Sequence, residues 1–306
     1  MYKRMLVPLD GSQLAEVVLG YAREIAARLD MDVVLFHVSN PKEGELTPMH
    51  RAYMEQATDM VRQRLEDGRQ GATLSAVGSK VEVRWEAATG QPAEEILDYA
   101  DRHDVDFIMM ATHGRSGITR WALGSVADKV LRASPVPVWL VRAGIPDEIV
   151  YDRWPSRAIL VPLDGSELAQ AVLPHVETLA KQRGIDLVDV VLLAVCEPTE
   201  PPRLYPASPV DWEADLARSK ESYELYLATV EMRLKQAGLT VRSEVLIGKP
   251  AEQIIEYANR DPFNLIVMAT HGRSGISRWM FGSIAEKVLL GASSPIFLVR
   301  PKSPEQ

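Results

Sequence analysis

Two patterns of apolar positions alternate along the chain. Short uninterrupted runs, Phe107-Ile108-Met109-Met110-Ala111 and Leu265-Ile266-Val267-Met268-Ala269, match strands buried on both faces of a parallel sheet. Elsewhere apolar residues recur at intervals of three and four. Leu123, Val126, Ala127, Val130 and Leu131 do so, as do Phe281, Ile284, Ala285, Val288 and Leu289, each set forming one stripe of an amphipathic helix. The pattern of the first half predicts strands at Arg4–Leu9, Asp32–Val38, Lys80–Ala87, Phe107–Ala111 and Val136–Val141, with a long second helix from Pro48 to Leu74. Strand and helix in alternation predict an α/β fold whose parallel sheet is covered by helices on both faces.

The pattern occurs twice. Val7-Pro8-Leu9-Asp10-Gly11-Ser12 returns as Val161-Pro162-Leu163-Asp164-Gly165-Ser166, and Ala111-Thr112-His113-Gly114-Arg115-Ser116-Gly117-Ile118 as Ala269-Thr270-His271-Gly272-Arg273-Ser274-Gly275-Ile276. Asp10 and Asp164 are 154 residues apart, Gly114 and Gly272 158 apart, so about four residues were inserted into the second copy. Part of that insertion falls at Gln182-Arg183-Gly184. A fixed internal period of this size indicates a tandem duplication. Residues 1–148 and 149–306 are the expected domains, joined near Ala143-Gly144-Ile145-Pro146-Asp147-Glu148.

Composition fits two such domains. The 306 residues are 46% hydrophobic and 25% charged, which is globular. A net charge of −8 disfavours free nucleic acid and anionic membrane as partners, because both require clustered Lys and Arg. The one cysteine, Cys196, rules out an intramolecular disulfide and reads as a small apolar residue at a strand end. Met1 leads straight into a strand-like segment without the apolar stretch of a signal peptide, and no apolar run reaches the roughly 20 residues of a spanning helix. A cytoplasmic location is the resulting expectation.

Chemistry concentrates after the fourth strand of each copy. In an open parallel sheet, ligands bind outside the carboxyl ends of the strands near the reversal of strand order. There the chain reads Thr112-His113-Gly114-Arg115-Ser116-Gly117 and then Gly124-Ser125 at the start of the amphipathic helix. Glycines allow close backbone approach to an anion, and a helix amino end adds unpaired N–H donors. Ser125 and Ser283 stand where an N-cap hydroxyl is expected. The same residues also suit plain turns and a cap, and a recent duplication would copy structural and functional residues alike. Asp10 and Asp164 suit an Asx-turn or a cap for the next helix.

The spacing resembles the universal stress protein family, whose ATP-binding pattern is Gly, two residues, Gly, nine residues, Gly, then Ser or Thr. Here Gly114 and Gly272 are each followed by nine residues and then by Gly124-Ser125 or Gly282-Ser283. The opening Val-Pro-Leu-Asp-Gly-Ser segments and the closing Pro-Val-Trp-Leu-Val-Arg and Pro-Ile-Phe-Leu-Val-Arg segments extend the likeness over nearly the whole chain. The pattern's first Gly is replaced by Ala111 and Ala269, which is acceptable if that residue keeps extended dihedrals. The resemblance implies two tandem open parallel five-stranded sheets of the adenine-nucleotide α-hydrolase-like, Rossmann-like type. It implies ATP, alone or with Mg2+, held by Asp10, Val38, Met110, Ala111, Gly114, Arg115, Gly124, Ser125 and Val126. The second set is Asp164, Val195, Met268, Ala269, Gly272, Arg273, Gly282, Ser283 and Ile284. Val38 and Val195 would recognise adenine through their backbone, and the last strands of the two domains would pair within the chain, which could itself form a homodimer.

Other residues near the loops have ordinary readings. His113 and His271 suit a structural hydrogen bond as well as a phosphate contact, and Arg115 and Arg273 match phosphate geometry or serve as solvated charges. Trp121 and Trp279 suit packing better than base stacking, and Ser116 and Ser274 are exposed-looking hydroxyls. P-loop, dinucleotide, zinc-protease and nucleophile-elbow motifs are all missing from the sequence, so binding is better supported than turnover. The expected function is an ATP-responsive stress or signalling module acting on an unidentified protein. A slow ATPase or autophosphorylating enzyme, and a nucleotide-free structural module, are the alternatives.

Overall fold

The computed structural model describes residues 2–39, 47–71, 81–112, 123–142, 158–181, 188–198, 212–260, 265–271 and 282–301. The connector around residue 148, the insertion at 182–184, the loops 113–122 and 272–281, and with them Trp121 and Trp279, lie outside the described residues. The first half runs β1 (Arg4–Pro8), α1 (Gln13–Leu29), β2 (Asp32–Ser39), α2 (Pro48–Gly71), β3 (Val83–Thr89), α3 (Pro92–Arg102), β4 (Phe107–Ala111), α4 (Ser125–Ala133) and β5 (Val138–Val141). The second runs β6 (Ala158–Pro162), α5 (Glu167–Gln170), α6 (Leu173–Ala180), β7 (Asp189–Cys196), α7 (Trp212–Gln236), β8 (Thr240–Ile247), α8 (Pro250–Arg260), β9 (Leu265–Ala269), α9 (Ser283–Gly291) and β10 (Ile296–Val299). β5 begins two residues later than the pattern predicts, because Pro137 has no N–H to give to a ladder. Proline also splits the counterpart of α1: Pro174 excludes the carbonyl four residues earlier, that of Gln170, where α5 ends.

Each half contributes five parallel strands, as expected, and their order is 3-2-1-4-5. The two sets form one ten-stranded sheet, β3-β2-β1-β4-β5-β10-β9-β6-β7-β8. At the join the strands run antiparallel, pairing Leu140 with Ile296, Trp139 with Phe297 and Val138 with Leu298. Alternate strand residues point to opposite faces, so two cores form. Met5, Val7, Val33, Leu35, Trp139 and Phe297 face the layer of α1, α2, α6 and α7. Leu6, Val34, Ile108, Leu140, Ile266 and Leu298 face the layer of α3, α4, α8 and α9. Both cores continue across the join.

Reciprocal arms reinforce it. Arg142 donates to the carbonyl of Leu290 at 2.5 Å and Arg300 to that of Arg132 at 3.1 Å, so each closing Arg meets the last turn of the other half's helix, where carbonyls lack helical partners. The outer strands β3 and β8 carry the ion pairs Arg84–Glu86 at 2.9 Å and Arg242–Glu244 at 3.6 Å. Charge on an edge strand discourages pairing with another chain.

A partly buried polar pair also spans the halves. The Tyr2 hydroxyl lies 2.5 Å from His175 Nδ1, and the Tyr2 ring packs edge-on against Phe107 at 5.2 Å. Burial lowers the His175 pKa from its ordinary 6.5, and the neutral ring can accept a hydrogen bond from the tyrosine hydroxyl. Since the His175 imidazole is protonated more readily in the unfolded chain, stability should be full above about pH 6.5 and fall as pH drops toward the lowered folded value. His175→Phe is expected to flatten the acid side of a thermal-melting profile measured from pH 7.5 to 5. An unchanged profile would assign the acid sensitivity to other groups.

Candidate functional site

The two strand-order reversals lie between β1 and β4 and between β6 and β9, since each first strand has the second on one side and the fourth on the other. Helices leave the sheet in opposite directions there and open a crevice at the carboxyl ends. In the second half a cavity of about 350 Å³ occupies this place, within the size range of small-ligand sites.

Its floor begins with Asp164 at the end of β6. Asp164 Oδ1 accepts the Ser166 amide at 3.0 Å and the Ser166 hydroxyl at 2.6 Å, and Ser166 Oγ accepts the Ala169 amide at 3.1 Å. The aspartate thus makes the Asx-turn while Ser166 caps the helix. Gly165, with φ of 84°, supplies the left-handed residue between them. Asp10 and Ser12 repeat the arrangement at 3.0, 2.6 and 3.2 Å, around Gly11 with φ of 80°.

The opposite wall is the start of α9. Gly282 donates its amide to the Thr270 carbonyl at 2.9 Å, which ties the start of α9 to the end of β9. A Cβ on Gly282 would sit 3.2 Å from that carbonyl oxygen, which is why glycine fits the close approach. Gly124 makes the equivalent bond to Thr112 at 2.8 Å.

One expectation is corrected at this point. The N-caps are Gly124 and Gly282, and Ser125 and Ser283 are the first helical residues; neither cap makes a side-chain hydrogen bond. The glycine has no side-chain oxygen, and a serine one position later lies inside the helix. The N-cap residues of α4 and α9 therefore supply no side-chain oxygen to the first amides of these helices.

Of the expected residues, Asp164, Val195, Met268, Ala269, Gly282, Ser283 and Ile284 all line this cavity. Ala111 and Ala269 close β4 and β9 in strand conformation, and neither is among the positive-φ residues, so the methyl groups that replace the family's glycine meet no backbone conflict. In the first half Asp10 follows β1, Val38 lies near the end of β2, Met110 and Ala111 end β4, and Gly124, Ser125 and Val126 open α4. Gly114, Arg115, Gly272 and Arg273 lie outside the described residues, as do His113, Ser116 and Ser274.

The structure adds residues that the sequence did not indicate. Tyr223 and Ser219 reach the cavity from α7, Pro250 and Ile254 from α8, and Cys196 and Glu197 from the end of β7. No motif marks them, because their side chains reach the cavity only through the packing of α7, α8 and β7 around it. Cys196 is indeed buried at a strand end, and burial raises its thiol pKa, so it stays a thiol. His271 also lines the cavity; its Nδ1 lies 3.0 Å from Thr270 Oγ1, while its buried Nε2 has no hydrogen-bond partner among the described residues. No group of three His, Cys, Asp or Glu suited to a metal ion occurs among the described residues, and no helix among them is long and apolar enough to cross a membrane.

Known proteins share this architecture. A universal stress protein of Archaeoglobus fulgidus superposes with a TM-score of 0.62 at 22% identity over 97% of this chain and 98% of its own. A Pseudomonas aeruginosa protein described as functionally unknown, PA1789, superposes at 0.67 with 17% identity over 98% and 93%. These two show likeness of fold. By sequence, the Mycobacterium tuberculosis universal stress protein Rv2005c is 26% identical over 97% of this chain and 96% of its own. The Methanocaldococcus jannaschii universal stress protein MJ0531 is 28% identical over 49% of this chain and 85% of its own. The family model described as the universal stress protein family matches residues 1–142 and again 155–300, the two segments that fold into the two halves of the sheet. This chain therefore belongs to the universal stress protein family, as a tandem repeat of its domain.

Proposed function

We propose that the chain binds ATP at the carboxyl ends of its two half-sheets and acts as a nucleotide-responsive stress or signalling module. One observation carries the reading: in the second half, a helix amino end without a side-chain cap opens into a cavity of about 350 Å³ at the strand-order reversal. The amides and dipole of a helix amino end suit a polyphosphate. The rest of the wall, including Val195, Met268 and Ile254, is apolar and suits a nucleoside. Close packing of Gly282 on the Thr270 carbonyl keeps the helix end at the mouth of the site. Mg2+ would be held chiefly by the phosphate oxygens, as a hard cation that retains several waters. Occupancy would change the surface offered to a signalling protein.

The experiment uses the full chain. Purified protein is denatured in acid, and its supernatant is assayed for adenine nucleotides. Nucleotide-free protein is then titrated calorimetrically with MgATP. Bound adenine nucleotide, or saturable heat approaching two equivalents per chain, is the expected result. No co-purified nucleotide and no heat across a millimolar titration would overturn the proposal.

A further inference from the structure

The two halves repeat one fold but finish their sites differently on the side away from the glycine-capped helix. On α7, Tyr223 precedes the buried residues Leu227, Val230 and Leu234. On α2, His50 stands at the same intervals before the buried Met54, Ala57 and Val61. Strand register adds a second difference. Asp32 pairs with Arg4 and Asp189 with Ala158, which places His37 of β2 in the position that Ala194 takes in β7.

In the first half the two imidazoles occupy each other. Their centroids are 4.7 Å apart, and His37 Nδ1 donates to the Leu9 carbonyl at 2.9 Å. In the second half Ala194 offers only a methyl group, and Tyr223 lines the cavity with Ser219 one turn before it. A ligand with an anionic end and an apolar planar end has one favourable orientation there. Its anion meets the amides of α9, and its ring meets the wall formed by Val195, Cys196 and Tyr223.

We propose that Tyr223 is an aromatic platform on which a purine base stacks in the second half, and that the first half, with His50 turned to His37, lacks this platform. The two sites then differ in how strongly they hold the base, not in how they hold the phosphates. This rests on the nucleotide-binding reading above and assigns Tyr223 as a specificity residue within it.

The test compares a ligand that has a base with one that has none. Photolabelling by 8-azido-ATP followed by peptide mapping reads the halves separately, and competition by inorganic tripolyphosphate reads the anion subsite. Tyr223→Leu keeps an apolar side chain of similar reach without the ring. It should weaken labelling of second-half peptides about tenfold or more, leave first-half labelling unchanged, and leave the tripolyphosphate competition constant unchanged. Tyr223→Trp should restore labelling. Undiminished second-half labelling in Tyr223→Leu, or tripolyphosphate affinity falling in step with ATP, would overturn the platform. A wild-type chain that neither probe occupies would overturn the nucleotide-binding reading itself.

Discussion

Replacing Ser283 by glutamate is expected to abolish MgATP binding in the second half while leaving the fold intact. Ser283 is exposed and is the first residue of α9, behind a glycine cap that makes no side-chain hydrogen bond. A carboxylate at this position is favourable to the helix by about 0.3–1 kcal/mol through the dipole. The same charge stands where a phosphate would meet the helix end. At roughly 5 Å and an effective dielectric near 20, each unit of phosphate charge would be repelled by about 3 kcal/mol, which corresponds to a loss of roughly a hundredfold or more in affinity. Ser125→Glu should do the same in the first half. Calorimetry with MgATP should find one class of site in either variant and none in the double variant, with melting temperatures unchanged or raised. A double variant that binds like the parent would place the phosphates elsewhere.

Truncating Phe297 should cause the largest loss of stability. Its side chain is fully buried opposite Trp139 at the antiparallel join, edge-on to Trp139 at 5.7 Å and to Phe107 at 5.6 Å. Phe→Ala in such a core removes about 3–5 kcal/mol. Because Phe297 belongs to a core shared by both halves, the loss should also weaken their coupling. Urea unfolding of Phe297→Ala is expected to show a lower midpoint and two transitions in place of one. Leu225→Ala, on the exposed face of α7 at 66% exposure, should stay within about 0.5 kcal/mol of the parent. A Phe297→Ala protein with the parental midpoint would mean that the join does not hold the halves together.

Much of the fold was legible because burial has a period. The unbroken apolar runs at 107–111 and 265–269 are buried at every residue, as strands covered on both faces must be. The stripe ending at Val130 and Leu131 became the buried face of α4. Element ends were less legible where proline intervened: Pro137 delays β5, and Pro174 breaks the counterpart of α1. Gly-Ser before an amphipathic stripe correctly marked a helix start but not its cap, since either residue is a frequent N-cap and only backbone dihedrals choose between them.

By itself, the sequence determined that this protein is a duplicated α/β module, where the strands and helices of each copy lie, and which glycines and aspartates stand at the strand ends. These are local matters, set by side-chain period, by turn chemistry and by the conformations that glycine alone adopts readily. Tertiary structure decided the rest. It joined β5 to β10, although an apolar strand edge can pair with a neighbour in its own chain or with another copy. It carried Tyr223 and Ser219 over the second site and set His50 against His37 near the first, because side chains on different elements meet only where those elements pack on the same sheet. The glycine spacing marks the proposed site from the sequence alone, but the walls that distinguish one copy from the other belong to the folded chain.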